Sequence, residues 1–127
     1  MLVKVKVGPS KITGMGLFAD QFIAKGTRTW EFTPGFDLEI TPEQVAKFPP
    51  TLQEFIHTYS YVSPRTGNHI LPADDERFTN HSDNPNTRGV DNPDGEGFDI
   101  ATRDIAQGEE ITANYRETAG PIDFEIK

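Results

Sequence analysis

Arg77-Phe78-Thr79-Asn80-His81-Ser82-Asp83-Asn84-Pro85-Asn86 is almost all hydrogen-bonding side chain, with Phe78 its one large apolar residue. A buried helix or strand needs apolar residues at regular steps, and this stretch lacks them. Asn, Asp and Ser readily close turns on their own backbone. A loop so dense in them either satisfies itself or grips a ligand. Further on, Gly108-Glu109-Glu110-Ile111-Thr112-Ala113-Asn114-Tyr115 reads as a glycine turn, a short strand and a tyrosine at the strand's end. Near the N-terminus, Thr13-Gly14-Met15-Gly16 reads as a second tight turn, and Leu17-Phe18-Ala19 begins a strand. In isolation Gly14-Met15-Gly16 reads as a hairpin or bulge, His81 as a hydrogen-bonded structural residue, and Tyr115 as ordinary strand packing.

The chain has 127 residues, which predicts one domain spanning 1–127. A chain this long buries roughly two-thirds of its unfolded surface, enough for a core without staples. With 35% hydrophobic residues and nine Phe it reads as globular. No apolar run reaches the length of a membrane span. Met1-Leu2-Val3-Lys4-Val5-Lys6-Val7 alternates like a strand, unlike a signal peptide. A cytoplasmic protein without a membrane partner is expected. The chain has no Cys, which excludes disulfides and thiolate zinc sites, and no metal is predicted.

The net charge of −8 is unevenly spread. Residues 1–30 carry Lys4, Lys6, Lys11, Lys25 and Arg28 against Asp20, and the remainder sums to −12. An acidic surface repels nucleic acid and attracts basic partners, although it also serves plain solubility. Direct nucleic-acid binding is therefore not expected.

A short repeat links the two halves. Ala19-Asp20-Gln21-Phe22-Ile23-Ala24-Lys25-Gly26 matches Ala101-Thr102-Arg103-Asp104-Ile105-Ala106-Gln107-Gly108 in its Ala, Ile-Ala and Gly positions. Each copy predicts a strand entering a glycine turn. Gly8-Pro9-Ser10 predicts a turn after a strand at Lys4–Val7, and Asn92-Pro93-Asp94-Gly95 predicts a hairpin tip. The middle is helical in pattern. Thr41-Pro42-Glu43 supplies an N-cap, a first-turn proline and an acid. Val45, Phe48, Leu52, Phe55 and Ile56 recur at helical steps, broken by Pro49-Pro50. Two short helices at about 42–48 and 50–57 are expected, within an insert at about 41–57. Tyr59-Ser60-Tyr61-Val62-Ser63 predicts a strand.

Together, the Gly-x-Gly turn, the Asn-His-Ser-x-x-Pro-Asn loop and the Glu-Ile-Thr-x-x-Tyr strand resemble the SET-domain family of protein-lysine methyltransferases. The resemblance covers about Val7 to Tyr115. It implies a mainly β fold, the SET-domain β-clip, with a short helical insert and a C-terminal pseudoknot. Lacking the Cys clusters of many members, the chain looks like a minimal stand-alone SET domain of the kind found in bacteria and viruses. The implied activity is methyl transfer from S-adenosyl-L-methionine to a lysine side chain of a basic protein. The competing reading is a catalytically inactive SET-like module that binds cofactor or a basic peptide. A homodimer is left open.

Methyl transfer to an amine needs a neutral lone pair aimed at the methyl carbon. Free lysine, with a pKa of about 10.4, is mostly charged at neutral pH, and an apolar channel favours its neutral form. By resemblance Tyr115 is the catalytic tyrosine. Gly14, Met15, Gly16, Asn80, His81 and Tyr115 would hold the cofactor, with Pro85 and Asn86 shaping the crossing. Phe124 is the candidate lid, because Arg116-Glu117-Thr118 replaces the aromatic that usually follows the tyrosine. Asp83 stands where many members have a zinc-linked Cys. Phe32, Tyr59 and Tyr61 are the candidate walls of the lysine channel, with core packing an equal reading for Phe32. A strand through 59–63 would put Tyr59 and Tyr61 on one face.

Overall fold

The computed structural model describes residues 1–115 and 124–125. Its described part is mainly β, with ten short strands in three sheets and two short helices. β1 (Val5–Pro9) pairs antiparallel with β2 (Met15–Ala19), from Val5 opposite Ala19 to Pro9 opposite Met15. The strand thus runs two residues into the turn expected at Gly8-Pro9-Ser10. Pro9 is tolerated because β1 is the sheet's edge, where a missing N–H strands no partner.

The sequence repeat becomes a local twofold clasp. Ile23 and Ile105 exchange both backbone hydrogen bonds, at 2.9 and 2.8 Å. Ala19 N–H donates to Glu109 O while Gly108 N–H donates to Ala19 O, at 2.9 and 2.8 Å. Ala101 and Gly26 repeat the pattern: Ala101 N–H donates to Thr27 O and Gly26 N–H to Ala101 O, at 2.9 and 2.8 Å. Gly26 and Gly108 sit at φ 87° and 89°, which favours glycine. Ala19, Ile23, Ala101 and Ile105 are fully buried with Leu17 and Ile111, and form the main core.

The second sheet is β3 (Arg28–Glu31), β9 (Gly95–Ala101) and β8 (Thr87–Asn92), with β9 in the middle. The third is β4 (Leu38–Ile40), β6 (His69–Leu71) and β5 (Tyr61–Val62). Between β4 and β5 lies the helical insert. α1 (Pro42–Ala46) starts in a capping box: Gln44 N–H donates to Thr41 Oγ1 and Thr41 N–H to Gln44 Oε1. α2 (Pro50–Tyr59) begins with proline in its first turn and ends where Ser60 turns extended, its N–H on Ile56 O. Ile40, Val45 and Ile56 form a second core with Phe48 against it. α2 runs two residues past its expected end and takes Tyr59 out of the expected strand.

The crossing that defines the fold lies at β7 (Asn80–His81). It pairs in parallel with β10 (Glu110–Ala113), Thr112 opposite Asn80 and Ala113 opposite His81. A parallel pair needs a crossover, which the β8–β9 hairpin supplies. Buried Asn86 holds it closed: Oδ1 accepts from Thr112 N–H at 2.8 Å, and Nδ2 donates to Glu110 O at 2.8 Å. Thr87 Oγ1 donates to Thr112 O at 2.7 Å. The amide thus serves as one more rung for β10.

Asn86→Ala removes those partners, at about 1–3 kcal/mol for each buried group stranded. The exposed Asn84→Ala should change stability by less than about 0.5 kcal/mol. Denaturant titration of the two variants checks the contrast.

Candidate active site

Three segments meet at the crossing. Asn80, barely exposed, has two amide hydrogens serving three acceptors: Thr13 O at 3.3 Å, Met15 O at 3.1 Å and Glu110 Oε2 at 2.9 Å. Ser10 Oγ donates to the same carboxylate at 2.8–2.9 Å. Gly16 makes room for it: a Cβ there would lie 2.5 Å from Glu110 Oε2. Gly16 is thus explained by a protein carboxylate, whereas Gly14 sits at φ 43° with open space where a Cβ would be. Met15, between them, is 48% exposed. Asn80 therefore commits its amide nitrogen to fixing the Gly14-Met15-Gly16 turn against β10.

Next to Asn80, His81 and Tyr115 are joined. Tyr115 N–H donates to His81 Nδ1 at 3.1 Å, which makes Nδ1 an acceptor. The ring proton then sits on Nε2, 3.0 Å from Asp83 Oδ1, and the imidazole is neutral in this arrangement. The two rings are 5.2 Å apart. Tyr115 Oη donates to Thr79 O, while the residue stays 67% exposed. Desolvation of the hydroxyl, then the carboxyl of Glu76, push the Tyr115 pKa up, so it is a neutral phenol at physiological pH.

The expected channel tyrosines are not neighbours on one strand. Tyr59, on α2, lies 4.8 Å from the Phe55 ring and 6.0 Å from the Phe78 ring. Phe78 precedes the Thr79 that receives the Tyr115 hydroxyl, so Tyr59 belongs to the wall on that side. Tyr61, on β5, meets Trp30 edge-on at 6.1 Å and donates to Glu96 Oε1 at 3.2 Å. Arg65 and Ser63 also donate to Glu96, at 3.0–3.1 Å and 2.9 Å. Burial, then Glu96, raise the Tyr61 pKa. Phe32, half-buried, lines a cavity of about 270 Å³ with Glu96, Arg65 and Phe98. Phe32 and Tyr61 are thus gathered around Glu96, apart from Tyr59. The helix boundary at Ser60 causes the split, because strand alternation no longer relates the two tyrosines.

Phe124 carries Lys25 Nζ 4.6 Å from its ring centre, in the loop after β2. Arg116-Glu117-Thr118 lies outside the described residues.

Sequence reasoning missed two acids. Glu76, in the 3-10 turn Asp75–Phe78, faces Asp99 of β9 closely enough for the two carboxyls to act on each other. Burial, then the Asp99 charge, hold the Glu76 carboxyl well above its ordinary value of 4.5. Burial raises Asp99 as well. The turn carries three consecutive acids, Asp74, Asp75 and Glu76, and nothing in the string marks which one faces inward. No group of three or more His, Asp and Glu that could hold a metal occurs among the described residues. No described helix is long and apolar enough to cross a membrane.

The SET domain family profile matches residues 14–116, and the chain belongs to that family. The class of activity this supports is methyl transfer. Among solved structures, a Plasmodium falciparum protein assigned as a histone methyltransferase is similar at TM-score 0.64 and 23% identity, over 93% of this chain and 97% of that one. A humanized mutant of the Chaetomium thermophilum Polycomb Repressive Complex 2, bound to an inhibitor, gives TM-score 0.68 and 22% identity. That likeness covers 91% of this chain but 15% of the other. At these identities the likeness is one of fold. No curated protein matches the chain in sequence.

The acid pair makes a prediction without reference to activity. A carboxyl whose folded pKa is raised stabilises the fold below its ordinary value and loses that contribution as pH rises through the folded value. Stability should therefore decline from about pH 4.5 upward through the raised values of Glu76 and Asp99. Glu76→Gln, which keeps a donor without a titrating proton, should flatten that decline. Thermal melts across pH check it; equal slopes in both proteins would refute it.

Proposed function

We propose that this chain transfers a methyl group from S-adenosylmethionine to a lysine side chain of a basic protein. The observation that carries this is the β7–β10 crossing, which sets the Tyr115 hydroxyl on Thr79 O beside His81 and the fixed Gly14-Met15-Gly16 turn. When bound, S-adenosylmethionine supplies an electrophilic methyl group on a sulfonium. The Gly14–Gly16 turn, Asn80, His81 and Tyr115 are the residues that would hold it. They fit the group in kind: Gly14 lies open, Met15 is exposed, and the exposed tyrosine ring offers a π-face suited to a cation.

The tyrosine's own chemistry follows from its bonds. A phenol has one donor hydrogen and two lone pairs. Tyr115 spends the hydrogen on Thr79 O, so its lone pairs remain to accept from an amine N–H and to face a methyl group carrying partial positive charge. Tyr59, Phe55 and Phe78 supply apolar walls that disfavour an ammonium. Residues 31–127 carry the net −12 that would gather a Lys-rich substrate.

Incubating the protein with radiolabelled methyl donor and basic protein extracts tests the reading. Label should appear on lysine, and S-adenosylmethionine at a hundred times its Kd should stabilise the fold by about 2.7 kcal/mol. Neither effect would leave the binding module or a more distant function. Tyr115→Phe should fold and bind cofactor but transfer methyl groups about tenfold to a thousandfold more slowly. Single-turnover kinetics reads this, and near-normal turnover would remove Tyr115 from the chemistry.

A further inference from the structure

We infer that Asp83 and the His81 imidazole are positioning residues that grip the Tyr115 backbone, and that the grip holds only while His81 Nδ1 carries no proton. This rests on the lysine methyl-transfer reading above. The parallel pairing of β7 with β10 ends at Ala113 opposite His81, and Ser82 N–H donates to Ala113 O at 2.9 Å. The next donor along β10's path, Tyr115 N–H, goes to a side chain instead, His81 Nδ1 at 3.1 Å. One short stretch therefore holds the tyrosine at both ends, its N–H on His81 and its hydroxyl on Thr79 O. A tyrosine held by its hydroxyl alone could swing about that bond. The second grip fixes where the hydroxyl's lone pairs point.

Donor and acceptor roles leave a single arrangement. A backbone N–H only donates, so Nδ1 must accept. A neutral imidazole has one donor and one acceptor, so its proton lies on Nε2. Nε2 stands 3.0 Å from Asp83 Oδ1, and an ionised carboxylate only accepts. Asp83 thus favours the one tautomer that can hold Tyr115. The turn at Ser82, whose Oγ accepts from Asn84 N–H at 3.1 Å, carries Asp83 back toward the ring. The side chains of His81 and Asp83 are 29% and 83% exposed, so water reaches both. An ion pair this exposed adds little to stability, and the order it gives the ring is its main effect.

Two titratable groups face His81 among the described residues: Asp83 from its own loop, and Tyr115 from the end of β10, its ring centre 5.2 Å away. The carboxyl of Glu76 acts on Tyr115 from the turn before β7. Protonation of His81 makes both ring nitrogens donors. Nδ1–H then faces Tyr115 N–H, donor against donor, and the backbone grip opens while Asp83 keeps the imidazolium. The hydroxyl stays on Thr79 O, so the tyrosine remains at the site but loses its aim. Acid therefore slows methyl transfer for a reason separate from the charge on the substrate lysine.

Nitrogen-15 spectroscopy of the full chain tests this without turnover. At neutral pH His81 Nδ1 should show the shift of an unprotonated acceptor, with a scalar coupling across the N–H···N bond to the Tyr115 amide. Acidification that protonates His81 should abolish the coupling and move the Tyr115 amide. Asp83→Ala should weaken the coupling at neutral pH. A protonated Nδ1 at neutral pH, or a Tyr115 amide indifferent to protonation of His81, would overturn the proposal.

Kinetics supplies the second readout. His81→Phe keeps a ring without an acceptor, and His81→Asn places an amide oxygen where Nδ1 stood. His81→Phe should lose about tenfold to a hundredfold in kcat with a smaller change in KM, the scale of misaimed reacting groups. His81→Asn should be at least about fivefold faster than His81→Phe, because it regains the acceptor. Asp83→Ala should cost about twofold to fivefold. On a plot of log rate against pH, wild type should fall more steeply once His81 is protonated, while His81→Asn keeps the slope set by the substrate lysine alone. Thermal melts confirm folding, and should His81→Phe not fold, the comparison of slopes decides. Equal kcat in a folded His81→Phe and wild type, or equal slopes in wild type and His81→Asn, would overturn the positioning role and leave lysine methyl transfer standing. A wild type that shows the coupling but methylates no lysine takes both readings down.

Discussion

The hydrogen bonds of one amide, Asn80 Nδ2, are the constraint on which the site depends. They tie three segments distant in sequence: the turn before β2, the Asn–His strand and the start of β10. A neutral turn alone would not hold so firmly. The bond to Glu110 is charge-assisted, a class roughly twice as strong as neutral pairs, and Ser10 adds a second donor to the same carboxylate. Gly16 is the steric counterpart, because any side chain there would displace the carboxylate. The glycine, the asparagine and the glutamate are thus one feature read from three parts of the chain. Remove any of them and the exposed face of the Gly14-Met15-Gly16 turn loses its fixed relation to Tyr115.

That dependence explains what the sequence could and could not tell. The three motifs were legible because each is a dense local string whose identities physics restricts: glycine for positive φ or close approach, amides for backbone capture, a tyrosine for a hydroxyl at a strand end. The repeat around Ile23 and Ile105 was legible as two turns. Its meaning, a mutual clasp, was not, because pairing across the chain leaves no trace in either copy alone. Pro9 misled because a proline marks a turn unless its strand is an edge, and edges are a property of the sheet. Tyr59 misled because α2 stops only when Ser60 turns extended, and Ser60 carries no strong stop signal. Glu76 was invisible: among three consecutive acids, only the partner on β9 selects the one that turns inward.

The two cores divide the labour. Leu17, Ala19, Ile23, Ala101, Ile105 and Ile111 pack under the clasp and hold the crossing. Ile40, Val45 and Ile56 pack the insert separately. Ring contacts link the insert and the β5 segment after it to the rest, Tyr59 to Phe78 and Tyr61 to Trp30, together with the bonds of Tyr61, Ser63 and Arg65 to Glu96. Aromatic pairs contribute about 0.5–1.5 kcal/mol each beyond their burial, small beside a core. The wall contributed by α2 can therefore change sequence, and with it the shape offered to a substrate, without disturbing the crossing.

Electrostatics follows the same division. The partners of Asn80 and Asn86 are satisfied at the crossing, where movement would be costly. Unspent polarity lies just outside: the lone pairs of Tyr115, the indole N–H of Trp30 and the acid pair at Glu76 and Asp99. A fold selected for stability alone would have neutralised these or replaced them with apolar side chains. Two facts of topology bring these groups near the crossing. β9 is the central strand of its sheet, so Asp99 is flanked on both sides, and the crossing brings the end of β10 back over the turn that carries Glu76. The arrangement that makes the fold hard to read from sequence also gathers its reactive groups.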